Sequence, residues 1–275
     1  MKSNIQDALS LRYPPLAIFF AEKPPEETRP VGGACAMLWI AQAAKGETVA
    51  LSLENCNCPG SGAGFGLQPM QSDNFPGGRE CWLRFLSVGN ESWEQGRAVI
   101  EHLRQAGAPK IMLTEFSEGE GFRKTPELVA SFTDNLPQVT TEAPYVIIKP
   151  LDRLKPGETP KVVSFLVDPD QLSALVVLAN FARPDVDAVR IPFGAGCMTF
   201  GLHPFFECGQ ENPRATVGLT DISARFYLRK ILGADILSFT VPLSLFDEMD
   251  ANVPESFLTR FTWKSMMGGG SKNGK

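Results

Sequence analysis

Short apolar runs punctuated by turn residues set the pattern of this chain. Leu16-Ala-Ile-Phe-Phe20 is five apolar residues with Tyr13-Pro-Pro15 before it and charge after it, a pattern that predicts a buried strand. An apolar stretch with helical spacing follows, Cys35-Ala-Met-Leu-Trp-Ile-Ala-Gln-Ala-Ala44, and Lys45-Gly46 is a good stop because Gly takes the left-handed conformation cheaply. Next come a strand, Val49-Ala-Leu-Ser-Leu53, and a Gly-rich loop, Cys56-Asn-Cys-Pro-Gly-Ser-Gly-Ala-Gly-Phe-Gly66. A similar order returns later. Val162-Val-Ser-Phe-Leu-Val167 predicts a strand and Asp168-Pro169 a helix start, where Asp accepts backbone N–H bonds and Pro suits the first turn. The helix Gln171–Asn180 should end near Pro184, ahead of a strand Ala188–Phe193 and a second loop, Gly194-Ala-Gly-Cys-Met-Thr-Phe-Gly201. A Pro-bounded apolar strand comes after each loop, at Tyr145–Lys149 and Ile236–Val241.

Strands alternating with helices imply an α/β (or α+β) fold with mixed, partly parallel sheets. The cysteine loops fall at the same place in both series. That suggests two similar strand–helix–strand units from an internal duplication: 1–150 with Cys35 and the Cys56/Cys58 loop, and 151–266 with the Cys197 loop. Residues 267–275 are Met, Gly, Ser, Lys and Asn and should form a disordered tail. Helical spacing recurs between Asn90 and Gly107, and a further helix should begin near Asp221. The polar stretch Glu115–Leu136 reads as a surface loop or lid.

Composition narrows the function classes. A net charge of −5 without a basic run disfavours nucleic acid as a partner. The N-terminus has no apolar signal core, and no apolar run approaches the length of a membrane helix, so a cytoplasmic protein is expected. Six cysteines in a reducing compartment point to metal or redox use more than to disulfides. Cys81 and Cys208 fit equally well as buried small hydrophobes.

In an extended segment Cys56 and Cys58 would point to one side. Gly60, Gly62 and Gly196 would then let backbone N–H groups approach the sulfurs, which stabilises an anionic centre. The spacing matches neither ferredoxins nor paired-cysteine zinc sites, and no Walker lysine follows. From spacing alone a structural or anion-binding turn fits as well. Cys35 adds a thiol at a helix start, where N–H dipoles favour thiolate. Cys197 adds another from the matching loop. Asp221 and Arg225 lie four apart, either as an exposed or capping pair or as a contact to substrate or cluster. His102 reads as a surface residue. His203 is near Cys197 and reads as structural, as a ligand or as an acid–base group. Phe193, Phe200, Phe205 and Phe206 would either shield a cluster or pack the core.

These residues carry a resemblance over roughly Ile5 to Met249: Cys35 in its helix, Cys58-Pro-Gly-Ser-Gly-Ala-Gly-Phe-Gly66, Gly196-Cys197, and Gly218-Leu-Thr-Asp-Ile-Ser-Ala-Arg225 followed by Val241-Pro242. The chain resembles the domain of unknown function 169 family, uncharacterised proteins of archaea and anaerobic bacteria. The resemblance implies a further cysteine between Gly218 and Asp221, which this chain lacks. Cys56, Cys208 or Asp221 would replace it, or one iron would stay open to substrate. The expected cofactor is an iron–sulfur cluster of the 4Fe–4S type, with Cys35, Cys56, Cys58 and Cys197 as metal ligands. The expected role is redox, electron transfer or sensing, with a redox partner protein or small molecule. A homodimer is compatible with this. Two alternatives stand beside it: an enzyme with an open-site cluster acting on a small molecule, and a metal-free binding module for a small anionic ligand.

Overall fold

The computed structural model describes residues 1–30, 35–56, 58–69, 75–139 and 141–268. The tail expected to be disordered lies outside the described residues except for Met267 and Gly268, which close the last helix. The chain forms two compact units, one from Met1–Gln68 with Val139–Lys275 and one from Pro69–Gln138. Both sequence halves contribute to the first.

In the first unit the apolar runs become strands β1 (Leu16–Ala21), β2 (Val49–Leu51), β3 (Tyr145–Pro150), β4 (Val162–Val167), β5 (Val189–Arg190), β6 (Ala215–Gly218) and β7 (Leu237–Pro242). They form one sheet in the order β2-β3-β1-β4-β7-β6-β5. All neighbours are antiparallel except β5 and β6. The fold is therefore mixed α/β, with much less parallel pairing than the alternation of elements implied. β3 and β7 take matching places outside β1 and β4, but the strand beyond β7 is β6, not β5. The sheet thus does not pair β2 and β5 as the equivalents that a duplication would make them.

Period-two alternation gives the sheet two different faces. Ala17, Phe19, Ile147, Val163, Phe165, Val167, Val217, Phe239 and Val241 form an apolar face. Helices α1 (Asn4–Leu9), α8 (Pro169–Asn180), α12 (Leu243–Asn252) and α13 (Phe261–Gly268) bury their apolar stripes in this core. Asp168 and Gln171 form a reciprocal capping box that fixes the start of α8, as Asp168-Pro169 suggested. The opposite face carries buried hydroxyls. Ser164, Thr240 and Thr216 lie side by side across β4, β7 and β6, and Ser164 Oγ is 2.8 Å from Thr240 Oγ1. On that side lie α2 (Ala36–Ala44), α3 (Pro59–Gly64), α9 (Gly196–Phe200), α10 (Leu202–Glu207) and α11 (Ile222–Leu228).

The second unit holds α4 (Gly78–Phe85), α5 (Glu94–Gln105), α6 (Lys110–Glu118) and α7 (Pro126–Asp134). Phe75, Trp82, Phe85 and Phe116 pack ring on ring inside it. The expected surface loop Glu115–Leu136 instead contains the end of α6 and all of α7. Thr125 caps α7 and Val129 is fully buried, so one apolar contact and one cap outweigh a polar sequence.

Candidate functional site

Both Gly-rich stretches expected as loops contain short helices. In α3 three of six residues are Gly, each costing a helix about 1 kcal/mol relative to Ala. Close approach of α3 to α9 offsets that cost. A Cβ at Gly64 would lie 2.5 Å from Cys197 Sγ and 3.0 Å from the Cys197 carbonyl carbon. A Cβ at Gly201 would run into the Gly64 carbonyl oxygen. The two helices therefore meet backbone against backbone, which side chains would prevent.

This contact assembles the thiols. Cys35 is the N-cap of α2, Cys58 the N-cap of α3, and Cys197 the second residue of α9. Ser61 Oγ accepts the first amide of α2, Ala36 N–H, at 3.2 Å, and Cys197 Sγ donates to Gly60 O at 3.2 Å. Cys56 lies just before α3, its Sγ 3.5 Å from Cys58 O. Asp221 is the N-cap of α11, with Oδ1 accepting Ala224 N–H at 2.7 Å.

The electrostatics show mutual proximity. Burial pushes the Cys197 thiol well above its ordinary range, and the charges of Cys58, Cys35, Asp221 and Cys56 push it further. Burial is also the largest cause for Cys35, raised to about 12; the Met37 amide opposes it, and Cys58, Asp221 and Cys56 add to it. Cys56 is raised to about 11 by burial and then by Cys58. At Cys35 desolvation outweighs the N–H dipoles that the helix start supplies. The Asp221 carboxyl is raised by burial, and the backbone amides of Ala224 and Gly196 oppose that rise.

The predicted glycines sit close by but act differently from expectation. Gly60 offers its carbonyl to Cys197, not its N–H to a sulfur. Gly62 faces the Gln68 side chain, and Gly196 faces Met37 and Ala224. Arg225 donates to Leu219 O, Ile236 O and Ala234 O, and its charge also acts on Asp221. Cys81 is buried within the second unit. Cys208 is an exposed residue whose sulfur donates to Lys161 O at 3.4 Å and Pro204 O at 3.3 Å. His102 is exposed, as expected. His203 is 5% exposed; burial followed by Arg190 lowers its pKa to about 4, and a hydrogen bond with the Phe193 backbone opposes them. Phe200 and Phe205 are buried, but Phe193 and Phe206 are exposed.

Sequence reading passed over Ser61, which ties α3 to α2, and Leu219, whose φ of 56° is rare for a bulky residue. A serine among glycines was the only visible sign of the first; the second left none. Among the described residues no three His, Cys, Asp or Glu side chains are grouped tightly enough to hold a metal ion, and no helix is long and apolar enough to cross a membrane.

No curated protein and no solved structure matches the chain significantly. A family model described as an uncharacterised ArCR family matches residues 4–252, a span that covers α2, α3, α9 and α11 with all the residues of this site. The chain belongs to the domain of unknown function 169 family.

Proposed function

We propose that this chain is a thiolate-bound metal protein, with an iron–sulfur cluster held by Cys35, Cys58, Cys197 and Cys56, and that it serves redox, electron transfer or sensing. One observation carries the reading. Thiols from three separate chain segments lie near one another and near a carboxylate: Cys197 Sγ reaches Gly60 O, two residues from Cys58, and the charges of Cys58, Asp221 and Cys56 raise the cost of ionising Cys35 and Cys197. A metal cation placed among them reverses that sign, since a coordinating thiol loses its proton outright. The backbone contact between α3 and α9 supports the same reading, because it brings Cys197 beside the helix that Cys58 caps.

The proposal is for a multinuclear centre and not for one ion. Sulfurs around a tetrahedral zinc, bound at about 2.3 Å, lie only about 3.8 Å apart. The described donors are spread more widely than a single ion accepts. The residues themselves would ligate the centre, with Cys197 fixed by the close packing of α9 against Gly64.

Anaerobic purification followed by iron and sulfide analysis tests this. Brown protein with stoichiometric iron and sulfide is expected, and Cys197→Ser should lose both. A colourless protein that takes up neither, even after reconstitution, refutes the proposal.

A further inference from the structure

The two strands at the middle of the sheet part at one end. β1 and β4 pair only from Leu16↔Ser164 to Ile18↔Val162, although β1 runs on to Ala21. Lys161 N–H still reaches Ile18 O at 2.9 Å, but Lys161 O accepts Leu243 N–H at 3.0 Å, so its backbone turns from one neighbour to the other and the ladder stops. Backbone groups of an antiparallel strand face alternate sides. Ile18 O faces β4, and Phe20, two residues on, turns its N–H and C=O the same way. No strand covers that side of Phe20 among the described residues.

The parted strands leave a cleft of about 510 Å³, open to solvent and within the size range of small-molecule sites, about 300–1,000 Å³. Phe19, Phe20 and Pro25 supply apolar wall, and Lys23, Lys155 and Lys161 supply ammonium groups against the carboxylates of Glu142 and Glu158. That is a local excess of positive charge on a chain of net charge −5. Buried charge fixes the width of the cleft. Lys149, fully buried, lies 3.0 Å from Glu27 on the segment after β1 and 3.0 Å from Glu158 on the segment before β4, so it joins the two walls. Glu158 also accepts Lys155 N–H at 2.8 Å. The rim is held more weakly. The pairs Lys155–Glu27 and Lys161–Glu142 are exposed, and exposed pairs exchange readily for another anion. Lys23 has no ion-pair partner among the described residues.

We propose that this cleft binds a small organic anion, its carboxylate or phosphate held by Lys23 and Lys161 and its apolar body laid against Phe20 and Pro25. The Phe20 N–H and C=O add one donor and one acceptor that fix its orientation. The site is separate from the cysteines and does not depend on a metal centre.

Calorimetric titration of the full-length protein with phenyl phosphate, benzoate, inorganic phosphate and benzylamine tests this. Phenyl phosphate, benzoate or both should bind at one site per chain with a Kd of about 1 mM or tighter. Inorganic phosphate lacks the apolar body and benzylamine has the wrong charge; each should bind at least about tenfold more weakly. Lys23→Met, at an exposed position, should weaken binding of the acid at least about fivefold and leave the urea midpoint unchanged. Thr159→Trp, at an exposed position of the cleft wall, should block it. Four results overturn the proposal: no saturable binding of either acid, benzylamine bound as tightly as benzoate, inorganic phosphate bound as tightly as phenyl phosphate, or wild-type affinity in both variants. None of them bears on the thiolate centre, whose test is iron and sulfide content.

Discussion

The Gly64→Ala substitution isolates the contact on which the site depends. Gly64 is the last residue of α3 and its φ is not in the left-handed region, so its backbone suits alanine. Helix propensity alone would make the change stabilising by up to about 1 kcal/mol. Packing opposes this. The new methyl would lie 2.5 Å from Cys197 Sγ, 2.8 Å from Cys197 Cβ and 3.0 Å from the Cys197 carbonyl carbon. Carbon contacts are comfortable at about 3.5–4.0 Å, so α9 must recede by a large fraction of an ångström or more. Overpacking of this kind costs about 1–3 kcal/mol, and here backbone has to move as well as a side chain. The net expectation is a loss of about 1–2 kcal/mol. Gly62→Ala, two residues earlier, is the control. Its nearest neighbours are three side-chain atoms of Gln68, at 2.9, 3.2 and 3.3 Å, and no backbone atom is among them. That variant should be neutral or more stable by up to about 1 kcal/mol. Urea unfolding at pH 7 in reductant reads both; with a slope of about 2 kcal/mol/M the midpoints should differ by about 1 M. Gly64→Ala protein as stable as Gly62→Ala, with unchanged slope, would refute the claim that α3 and α9 meet without room for a side chain.

Further expectations concern acid stability, the outlying cysteine and a buried ion cluster. The fold holds His203 at a pKa of about 4, while the unfolded chain titrates near 6.5; only the unfolded state gains the proton between those values. Stability should therefore fall as pH drops from 6.5 towards 4, by about 3 kcal/mol from this group, and His203→Gln should flatten that slope in urea titrations at stepped pH. Arg190 and Glu207 are the charges that act on His203, in opposite senses. Cys208→Ser should leave iron and sulfide content at the wild-type level, since its sulfur faces Lys161 O and Pro204 O; a loss comparable to that of Cys197→Ser would contradict the placement. Lys149 is fully buried, with Nζ 3.0 Å from both Glu27 and Glu158. Lys149→Ala should cost about 3 kcal/mol, the low end for a broken buried pair because both carboxylates keep some water contact, and a loss under about 1 kcal/mol would show that the cluster is not needed for stability.

Sequence patterning by itself determined most of the sheet. Six of the seven strands among the described residues were visible as short apolar runs, since a strand buried on both faces needs continuous hydrophobicity. The start of α8 was visible too, because Asp168, Pro169 and Gln171 satisfy the helix end with their own atoms. β6 left little signal: Ala215-Thr-Val-Gly218 is four residues long, and its place is fixed by pairing with β7. Strand order was illegible for the same reason, since register and direction depend on partners distant in sequence. At the site, the sequence supplied the cysteines and glycines but not their arrangement. Pro59–Gly64 is intrinsically poor helix, and only contact with α9 makes it one. Nor did it reveal that Cys56 acts less strongly than Asp221 on Cys35 and Cys197, or that Leu219 takes a positive φ. Local chemistry chose which residues can carry a centre; burial and close backbone approach decided which of them meet.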